Sequence, residues 1–379
     1  MIIDVHAHIF PYLGGASGYK TPSDHMMHFQ KATALSPAKS IRRVEDQKIV
    51  DGLVMWDPDN PTPSGRIDVN FRAAKYGRFE WTINGVDYTV SVYAPSLQGM
   101  EAPPEFMIAE MDYAGIDRAV LQNPWLYGRL NEYVSEAISK YPDHFIGQVQ
   151  VSETEAYKEN EILELRRGVM ELGLKGGLYY SDRRFWEINY EYNIDSEIFF
   201  PFWEEVRGLE IPVYWCLSSQ PDPEHPQLST FERYVNAILR FGNWQSHFSE
   251  IPCVLVHGLQ LSAISTEEGF RELPNEVWEI WQRPNVNLEV LFPIQVSWEG
   301  VDPKQLDYPY PEVRPIIKEL YKKLGPEKLM WGSDMPNVER NCTYKQSLDY
   351  LVRYCDFIQP QHMDMIVGGN AANLYSLNS

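Results

Sequence analysis

The sequence predicts an α/β protein of the (β/α)8-barrel (TIM-barrel) class with a long β-containing insertion after its first strand. Short apolar stretches rich in β-branched and aromatic residues alternate with amphipathic stretches along residues 103–379. Strands that alternate with helices imply parallel pairing, and eight such strands imply a closed barrel. The structural rival, an open doubly wound sheet, is disfavoured because no glycine-rich phosphate fingerprint follows any predicted strand.

The first predicted strand, residues 1–10, carries His6 and His8 within a β-branched apolar run. Alternate side chains of a strand point to the same face, so we expect both imidazoles on one side. Because neutral imidazole is a frequent metal ligand, His6 and His8 are candidate ligands of a divalent cation.

Residues 11–102 interrupt this regular pattern with many prolines and glycines. Residues 79–92 alternate around Asn84–Gly85, which is a strong signal for a hairpin with a type I′ turn. The segment is therefore predicted to be an insertion that forms a lid over the barrel mouth or a subunit interface. His25 and His28 within it are expected to be solvated loop residues rather than ligands.

The remainder of the chain reads as a regular series of elements, beginning with a helix at residues 103–114 that starts with proline and ends before Gly115. The other predicted helices are residues 129–141, 159–172, 200–208, 231–241, 275–282, 311–324 and 344–356. The predicted strands are residues 118–122, 145–151, 174–180, 211–217, 252–257, 286–291 and 328–332.

Three later residues add possible ligands at or near strand ends. His257 ends the predicted strand 252–257, and Asp334 follows the strand 328–332. Because the carboxyl ends of barrel strands meet at one mouth, His6, His8, His257 and Asp334 are predicted to surround one cation. Glu289 lies within the apolar strand 286–291, where a buried carboxylate needs a partner. A metal, an arginine and outward exposure remain open as its explanation.

Composition and charge narrow the possible partners. The net charge of −20 over 379 residues, with no basic cluster, disfavours non-specific nucleic-acid binding. The four scattered cysteines form no CxxC motif and indicate a reduced protein. No apolar stretch approaches membrane-spanning length, so no membrane partner and a cytoplasmic location are expected.

Taken together, the motifs resemble the amidohydrolase superfamily, and most closely its branch typified by aminocarboxymuconate semialdehyde decarboxylase. The resemblance covers residues 1–10 and 103–379, which would form the barrel, with residues 11–102 as the insertion. The motifs that carry it are His6-Ala-His8, Gly173-Leu-Lys-Gly176, His257-Gly258, Trp331-Gly-Ser-Asp334-Met-Pro336 and the final stretch from Gly368 to Tyr375.

The resemblance implies a metal-dependent enzyme that hydrolyses or decarboxylates a small carboxylate substrate. One or two divalent ions (zinc, iron or manganese) would be held by His6, His8, His257 and Asp334, with Glu289 as a further candidate ligand. His257 and Asp334 would be the catalytic residues. Arg183 or Arg184, after the fourth strand, are candidates to bind the substrate carboxylate, although an ion pair with Asp182 or a surface position is the favoured reading.

One departure from the family pattern leaves alternatives open. Cys216 stands where the family usually has a metal-binding histidine at the end of the fifth strand, and it is either a thiolate ligand or an inert buried thiol. The chain also resembles dinuclear non-haem iron monooxygenases such as 2-aminoisobutyrate hydroxylase, which would require an electron donor protein. A structural metal-binding subunit of a hetero-oligomer is the third hypothesis. A homo- or hetero-oligomer of related barrels is expected.

Overall fold

Eight parallel strands form the framework of the protein. The computed structural model describes residues 1–34, 40–60, 62–181, 192–193, 195–217, 219, 227–266, 269–293 and 307–377. Strands 1 to 8 of the barrel are, in order, Ile3–Ala7, Arg118–Leu121, Phe145–Gly147, Leu178–Ser181, Val213–Cys216, Cys253–Leu255, Val286–Val290 and Leu329–Trp331.

The eight strands are arranged as two parallel sheets that join into a ring. Strands 1 to 3 form a three-stranded sheet, and strands 4 to 8 form a five-stranded sheet. Parallel bridges between Val149 and Leu178, and between Ala7 and Met335, connect the two sheets at both seams. This strand order agrees with the predicted (β/α)8 barrel.

Helices follow the strands with bounds close to those predicted. They are Pro104–Ala114, Asn131–Lys140, Glu159–Met170, Phe200–Gly208, Thr230–His247, Leu261–Ile264, Asn275–Trp281, Arg314–Leu324, Tyr344–Val352, Pro360–Asp364 and Asn370–Leu374. Gly115 ends the first of these in the left-handed conformation, at φ +79°, a common way to stop a helix. A π-helical turn, Met365–Gly369, lies between the last two helices.

Apolar side chains fill the barrel interior and the layer between strands and helices. Val120, Tyr214, Val254 and Met330 belong to one buried cluster, whereas the residues next to them in the strands join a second cluster with the helices. This alternation is the period of two expected of a strand. The hydroxyl of Tyr375 lies 2.6 Å from that of Tyr214 and donates to the Gly176 carbonyl, so the last helix covers one end of the interior.

The segment at residues 11–102 has its own small sheet. Its four antiparallel strands lie in the order Arg42–Arg43, Val86–Ser91, Arg78–Ile83 and Arg72–Ala73, and a helix spans Pro22–Ala34. Asn84 and Gly85 both have positive φ, +51° and +77°, which confirms the predicted hairpin turn. The segment's role as a lid or interface stays a prediction.

The expectation for His25 and His28 was wrong. Both lie on the helix Pro22–Ala34, and their side chains are buried. The two ring nitrogens of His25 lie 3.0 and 2.9 Å from the carbonyl oxygens of Gly15 and Leu126. The polar composition of this segment did not indicate a helix. The helix packs against the barrel through polar contacts such as that of His25.

All four cysteines lie within the described residues, are buried and form no disulfide bond. Burial raises the pKa of the Cys342 and Cys355 thiols to about 12, which makes them poor nucleophiles. Within the described part of the chain, each helix is too short or too polar to cross a lipid bilayer.

Candidate metal centre

His6 and His8 approach each other at the mouth of the barrel. Their Nε2 atoms are 3.1 Å apart, and both side chains are buried. Strand 1 contains one extra residue between Asp4 and Ala7 relative to its partner strand. Such a bulge bends the strand and redirects its side chains, and here it accompanies the convergence of the two rings.

Acceptors on the far side of the His6 and His8 rings determine which nitrogen of each ring carries the proton. Nδ1 of His6 lies 3.1 Å from both carboxylate oxygens of Glu289, and Nδ1 of His8 lies 2.8 Å from the carbonyl oxygen of Gln122. Each Nδ1 therefore donates its proton to an oxygen, and each Nε2 presents a lone pair. Outer contacts of this kind are what orient metal-binding histidines in proteins.

Asp334 completes the group from strand 8. Its Oδ1 lies 2.8 Å from Nε2 of His8 and 3.6 Å from Nε2 of His6. The side-chain amide of Asn337 donates to the same oxygen at 2.7 Å. Burial would raise the pKa of Asp334, but the His6, His8 and His257 rings lower it well below its usual range, so the carboxylate is ionised.

His257 lies on the more open side of the group. Its Nε2 is 4.0 Å from Oδ2 of Asp334, and 23% of its side chain is exposed. Its backbone N–H donates to Glu289 at 2.5 Å. His257 and Asp334 have φ values of +65° and +60°, a conformation that costs non-glycine residues about 1 kcal/mol or more and is concentrated at functional sites.

Cys216 lies behind His257 rather than among the Nε2 atoms. Its Sγ is 3.7 Å from Nδ1 of His257, and the residue is fully buried. The thiol therefore lies on the side of the His257 ring opposite to Asp334. Whether Cys216 ligates a metal stays a prediction.

A network around Asp4 connects strand 1 to strand 8 beside the cluster. Its carboxylate accepts hydrogen bonds from Ser333, Tyr344 and the backbone of His6. Burial raises the pKa of Asp4 to about 6, against the opposing effect of these bonds. Gly332 is tightly enclosed, since a Cβ there would lie 2.0 Å from Oε1 of Glu289.

The donor set fits a divalent cation. One donor atom from each of His6, His257 and Asp334 lies within 4.8 Å of the others. Two imidazole nitrogens bound to one cation at about 2.1 Å are separated by about 3.0–3.4 Å, as the Nε2 atoms of His6 and His8 are here. Two lone pairs at this separation repel unless a positive charge lies between them. Burial lowers the pKa of His6, but Glu289 and Asp334 raise it more strongly, to about 9. When no metal is bound, a proton therefore supplies the positive charge between the two nitrogens.

His6, His8, His257 and Asp334 lie close together, and their roles as ligands and catalytic residues stay a prediction. The sequence analysis did not predict the residues that support them. Gln122 acts through its backbone carbonyl, which no side-chain pattern reveals. Asn337 also donates to the hydroxyl of Tyr127, whose ring packs 5.0 Å from His8. Asn337 follows Asp334 by three residues, and its contact with Asp334 could have been predicted from that spacing. Arg183 and Arg184 lie outside the described residues.

The amidohydrolase family model matches residues 3–377, almost the whole chain. The chain belongs to the amidohydrolase family. Among curated proteins, this amidohydrolase is similar to 4-sulfomuconolactone hydrolase from Rhizobium radiobacter, with 21% identity over 245 residues that cover 62% of this chain and 67% of the relative. Membership confirms the predicted enzyme class, a metal-dependent hydrolase or carboxy-lyase.

Solved structures share the fold of this amidohydrolase. A probable 2-pyrone-4,6-dicarboxylic acid hydrolase from Acinetobacter baumannii, with citric acid bound, matches with a TM-score of 0.53 and 15% identity and covers 99% of both chains. A dihydroxybenzoic acid decarboxylase from a Polaromonas species, with bound manganese and the inhibitor 2-nitroresorcinol, matches with a TM-score of 0.51 and 18% identity. That match covers 72% of this chain and 86% of the decarboxylase.

Proposed function

We propose that this amidohydrolase binds one divalent cation through Nε2 of His6, Nε2 of His8 and Asp334, and that it hydrolyses or decarboxylates a small carboxylate. The observation that carries the proposal is the pair of Nε2 lone pairs 3.1 Å apart, with both Nδ1 protons engaged by Glu289 and Gln122. Borderline nitrogen ligands with one carboxylate suit zinc, manganese or iron.

Each residue of the group then has a distinct role. The cation, when bound, supplies Lewis acidity and lowers the pKa of a water molecule. Asp334 and the two histidines hold it, and Glu289 holds His6 and the backbone of His257. His257 is the proton carrier, because its ring is partly exposed to the mouth and its Nε2 faces Asp334 across 4.0 Å.

The same residues serve either reaction of the proposed class. In hydrolysis of a lactone, water adds across the acyl C–O bond, His257 takes the water proton, and it returns that proton to the leaving oxygen. In decarboxylation, the C–C bond to the carboxylate breaks, CO2 departs, and His257 delivers a proton to the carbon that keeps the electron pair. The related sulfomuconolactone hydrolase and dihydroxybenzoic acid decarboxylase represent these two reactions.

Glu289 has a different role in this proposal from the metal ligand predicted from sequence. Its two oxygens face Nδ1 of His6 and the N–H of His257, so they are committed to donors away from the Nε2 atoms. A carboxylate behind a metal-binding histidine raises its basicity and fixes its orientation. The proposal therefore needs a single cation.

The test combines metal analysis with matched variants. We expect about one zinc, manganese or iron ion per purified chain, and loss of that ion in His6→Ala and Asp334→Ala. His247→Ala, at an exposed position, should keep it. Turnover of a panel of lactone carboxylates and hydroxybenzoates should proceed without oxygen, and His257→Ala should lose turnover while it retains metal.

The alternatives give different results in the same experiment. Two iron-group ions with turnover that requires oxygen and an electron donor would favour a monooxygenase subunit. Loss of stability in His6→Ala, with unchanged turnover by a partner subunit, would favour a structural role. Either result would overturn the proposal.

A further inference from the structure

The bulge in strand 1 changes which of its residues face the barrel interior. Ile3 and Val5 belong to the interior cluster, whereas Ala7 belongs to the outer cluster that packs against the helices. On a regular strand Ala7 would lie on the same face as Ile3 and Val5. His6 and His8 would then point outwards, away from the mouth. The bulge reverses this order, because Val5 and the next residue both oppose the single residue Val120 of strand 2.

Side chains provide hydrogen-bond partners for two main-chain groups at the bulge. A bulge disrupts the ladder locally, so its main-chain groups need partners from elsewhere. The N–H of His6 donates to the carboxylate of Asp4 at 2.9 Å. The carbonyl of Val5 accepts from Nε2 of Gln122 at 3.0 Å. Both contacts are buried, and both stabilise the bulged conformation rather than a regular strand.

Gln122, directly after strand 2, contacts strand 1 at three points. Its backbone N–H donates to the carbonyl of Ala7 at 2.9 Å, and its own carbonyl accepts from Nδ1 of His8 at 2.8 Å. The side-chain contact with Val5 is the third. One residue therefore holds strand 1 at the bulge and on the two positions that follow it.

The side chain of Gln122 has an unfavourable feature that indicates a specific role. It is fully buried, and among the residues that the structure describes its Oε1 has no hydrogen-bond partner. A buried acceptor without a partner costs about 1–3 kcal/mol. An apolar side chain of similar length would avoid this cost. The useful part of the amide is therefore the donor Nε2, which contacts the Val5 carbonyl.

We propose that the side chain of Gln122 is a positioning residue for the metal centre, because it holds the bulge that turns His6 and His8 towards the cation. This inference rests on the proposed function and adds to it a residue whose side chain touches neither histidine ring. The contact between the Gln122 carbonyl and His8 belongs to the main chain, so substitutions of the side chain test the bulge separately.

The experiment measures manganese affinity by competition with a fluorescent chelator. Gln122→Met keeps the length of the side chain but removes the donor, and we expect Kd to rise by about 10–100-fold, the usual effect of losing a contact that orients a metal-binding histidine. The absorption spectrum of the cobalt-loaded protein should change too, because it reports ligand geometry rather than stability. Gln122→Asn is one methylene shorter and keeps an amide in the interior. It should show the same two changes and serves if Gln122→Met does not fold.

Gln148→Met is the matched control. Gln148 follows strand 3 as Gln122 follows strand 2, and it is also fully buried. Its amide faces the hydroxyl of Tyr375 rather than the bulge. We expect its manganese Kd to stay within about twofold of the wild type, with an unchanged cobalt spectrum.

Three results would overturn the inference. They are wild-type Kd and cobalt spectrum in the Gln122 variants, a loss of unfolding free energy in those variants without a change in Kd, and an equal loss of affinity in Gln148→Met. A wild type that binds no cation would instead refute the proposed function. Metal-free crystal structures would then decide the inference. The Nε2 atoms of His6 and His8, 3.1 Å apart in the wild type, should separate in Gln122→Met, and an unchanged distance would overturn it.

Discussion

At the residue scale, the site depends on which nitrogen of each histidine is free. Glu289 and the Gln122 carbonyl engage the Nδ1 protons, so both Nε2 atoms point at the same position. Sequence spacing predicted His6, His8, His257 and Asp334 because strand ends of a barrel converge. It did not predict the bulge in strand 1 or the carbonyl of Gln122, since neither depends on a recognisable side chain.

The role of Glu289 can be tested by removing only its charge. Glu289→Gln preserves size but weakens the acceptor for Nδ1 of His6, so we expect metal affinity to fall by about 10–100-fold. Competition with a fluorescent chelator measures this. Glu250→Gln, at a residue 62% exposed, is the control and should have wild-type affinity. Unchanged affinity in Glu289→Gln would contradict the positioning role.

Gly332 is required because Glu289 occupies the space of a side chain there. The Cβ of Gly332→Ala would lie 2.0 Å from Oε1 of Glu289 and 2.9 Å from Cβ of His6. Overpacking of this kind costs about 1–3 kcal/mol of unfolding free energy, and the displaced carboxylate should weaken metal binding too. Denaturant unfolding and chelator competition measure the two effects.

Gly208→Ala is the matched substitution for that experiment. No atom lies within 4 Å of a Cβ at this helix end, so it should be neutral or stabilising by up to about 1 kcal/mol. If Gly332→Ala were equally harmless, the tight fit between strands 7 and 8 would not matter to the site.

At the element scale, helix Thr230–His247 links packing to the site. The Tyr234 hydroxyl donates to the carbonyl of Gly258, next to His257. The helix begins with a capping box in which Ser229 and Glu232 exchange hydrogen bonds. Its predicted start was one residue late and its predicted end six residues early, because Asn243-Trp-Gln-Ser-His247 lacks a clear apolar period although Trp244 packs against Trp203 and Trp215.

Loss of the cap should destabilise this helix without changing the metal centre. Ser229→Ala removes the acceptor for the Glu232 N–H, and we expect a loss of about 0.5–2 kcal/mol in unfolding free energy. Ser246→Ala, in the same helix, replaces a hydroxyl bonded to the Gly242 carbonyl and should change stability by less than about 0.5 kcal/mol. If chemical denaturation gave the same loss of unfolding free energy for Ser229→Ala and Ser246→Ala, the cap would contribute nothing to stability.

At the scale of the whole molecule, the barrel was predictable because its strands are short, apolar and regularly spaced. Predicted strands were generally longer than those observed. The sixth strand, for example, ends at Leu255, before His257 turns out of the ladder at positive φ. The fold of the 11–102 segment was predicted only at its hairpin. There, His25 contacts the Leu126 carbonyl of the barrel and Phe29 packs on Phe79 of the same segment. Composition alone did not reveal these long-range contacts and gave the opposite expectation.

The cation would also close the ring of strands. His8 and Asp334 are 326 positions apart in the chain and meet where strands 1 and 8 join. Binding only to the folded state stabilises it by about 2.7 kcal/mol at one hundred times Kd, so a strong chelator should lower Tm by several degrees. His6→Ala should melt at a temperature that the chelator does not change. A wild-type Tm insensitive to the chelator would show that the cation does not hold this seam.

The reactivity of the four buried thiols can report local opening of the folded protein. An alkylating reagent meets a reactive sulfur when the surrounding packing separates, so labelling rates report local opening rather than surface chemistry. Cys216 and Cys253 lie on the paired strands 5 and 6, and Cys342 and Cys355 flank the helix Tyr344–Val352. Mass spectrometry of partially labelled protein would thus rank the order in which the barrel wall and its outer helix come apart, with no substitution introduced.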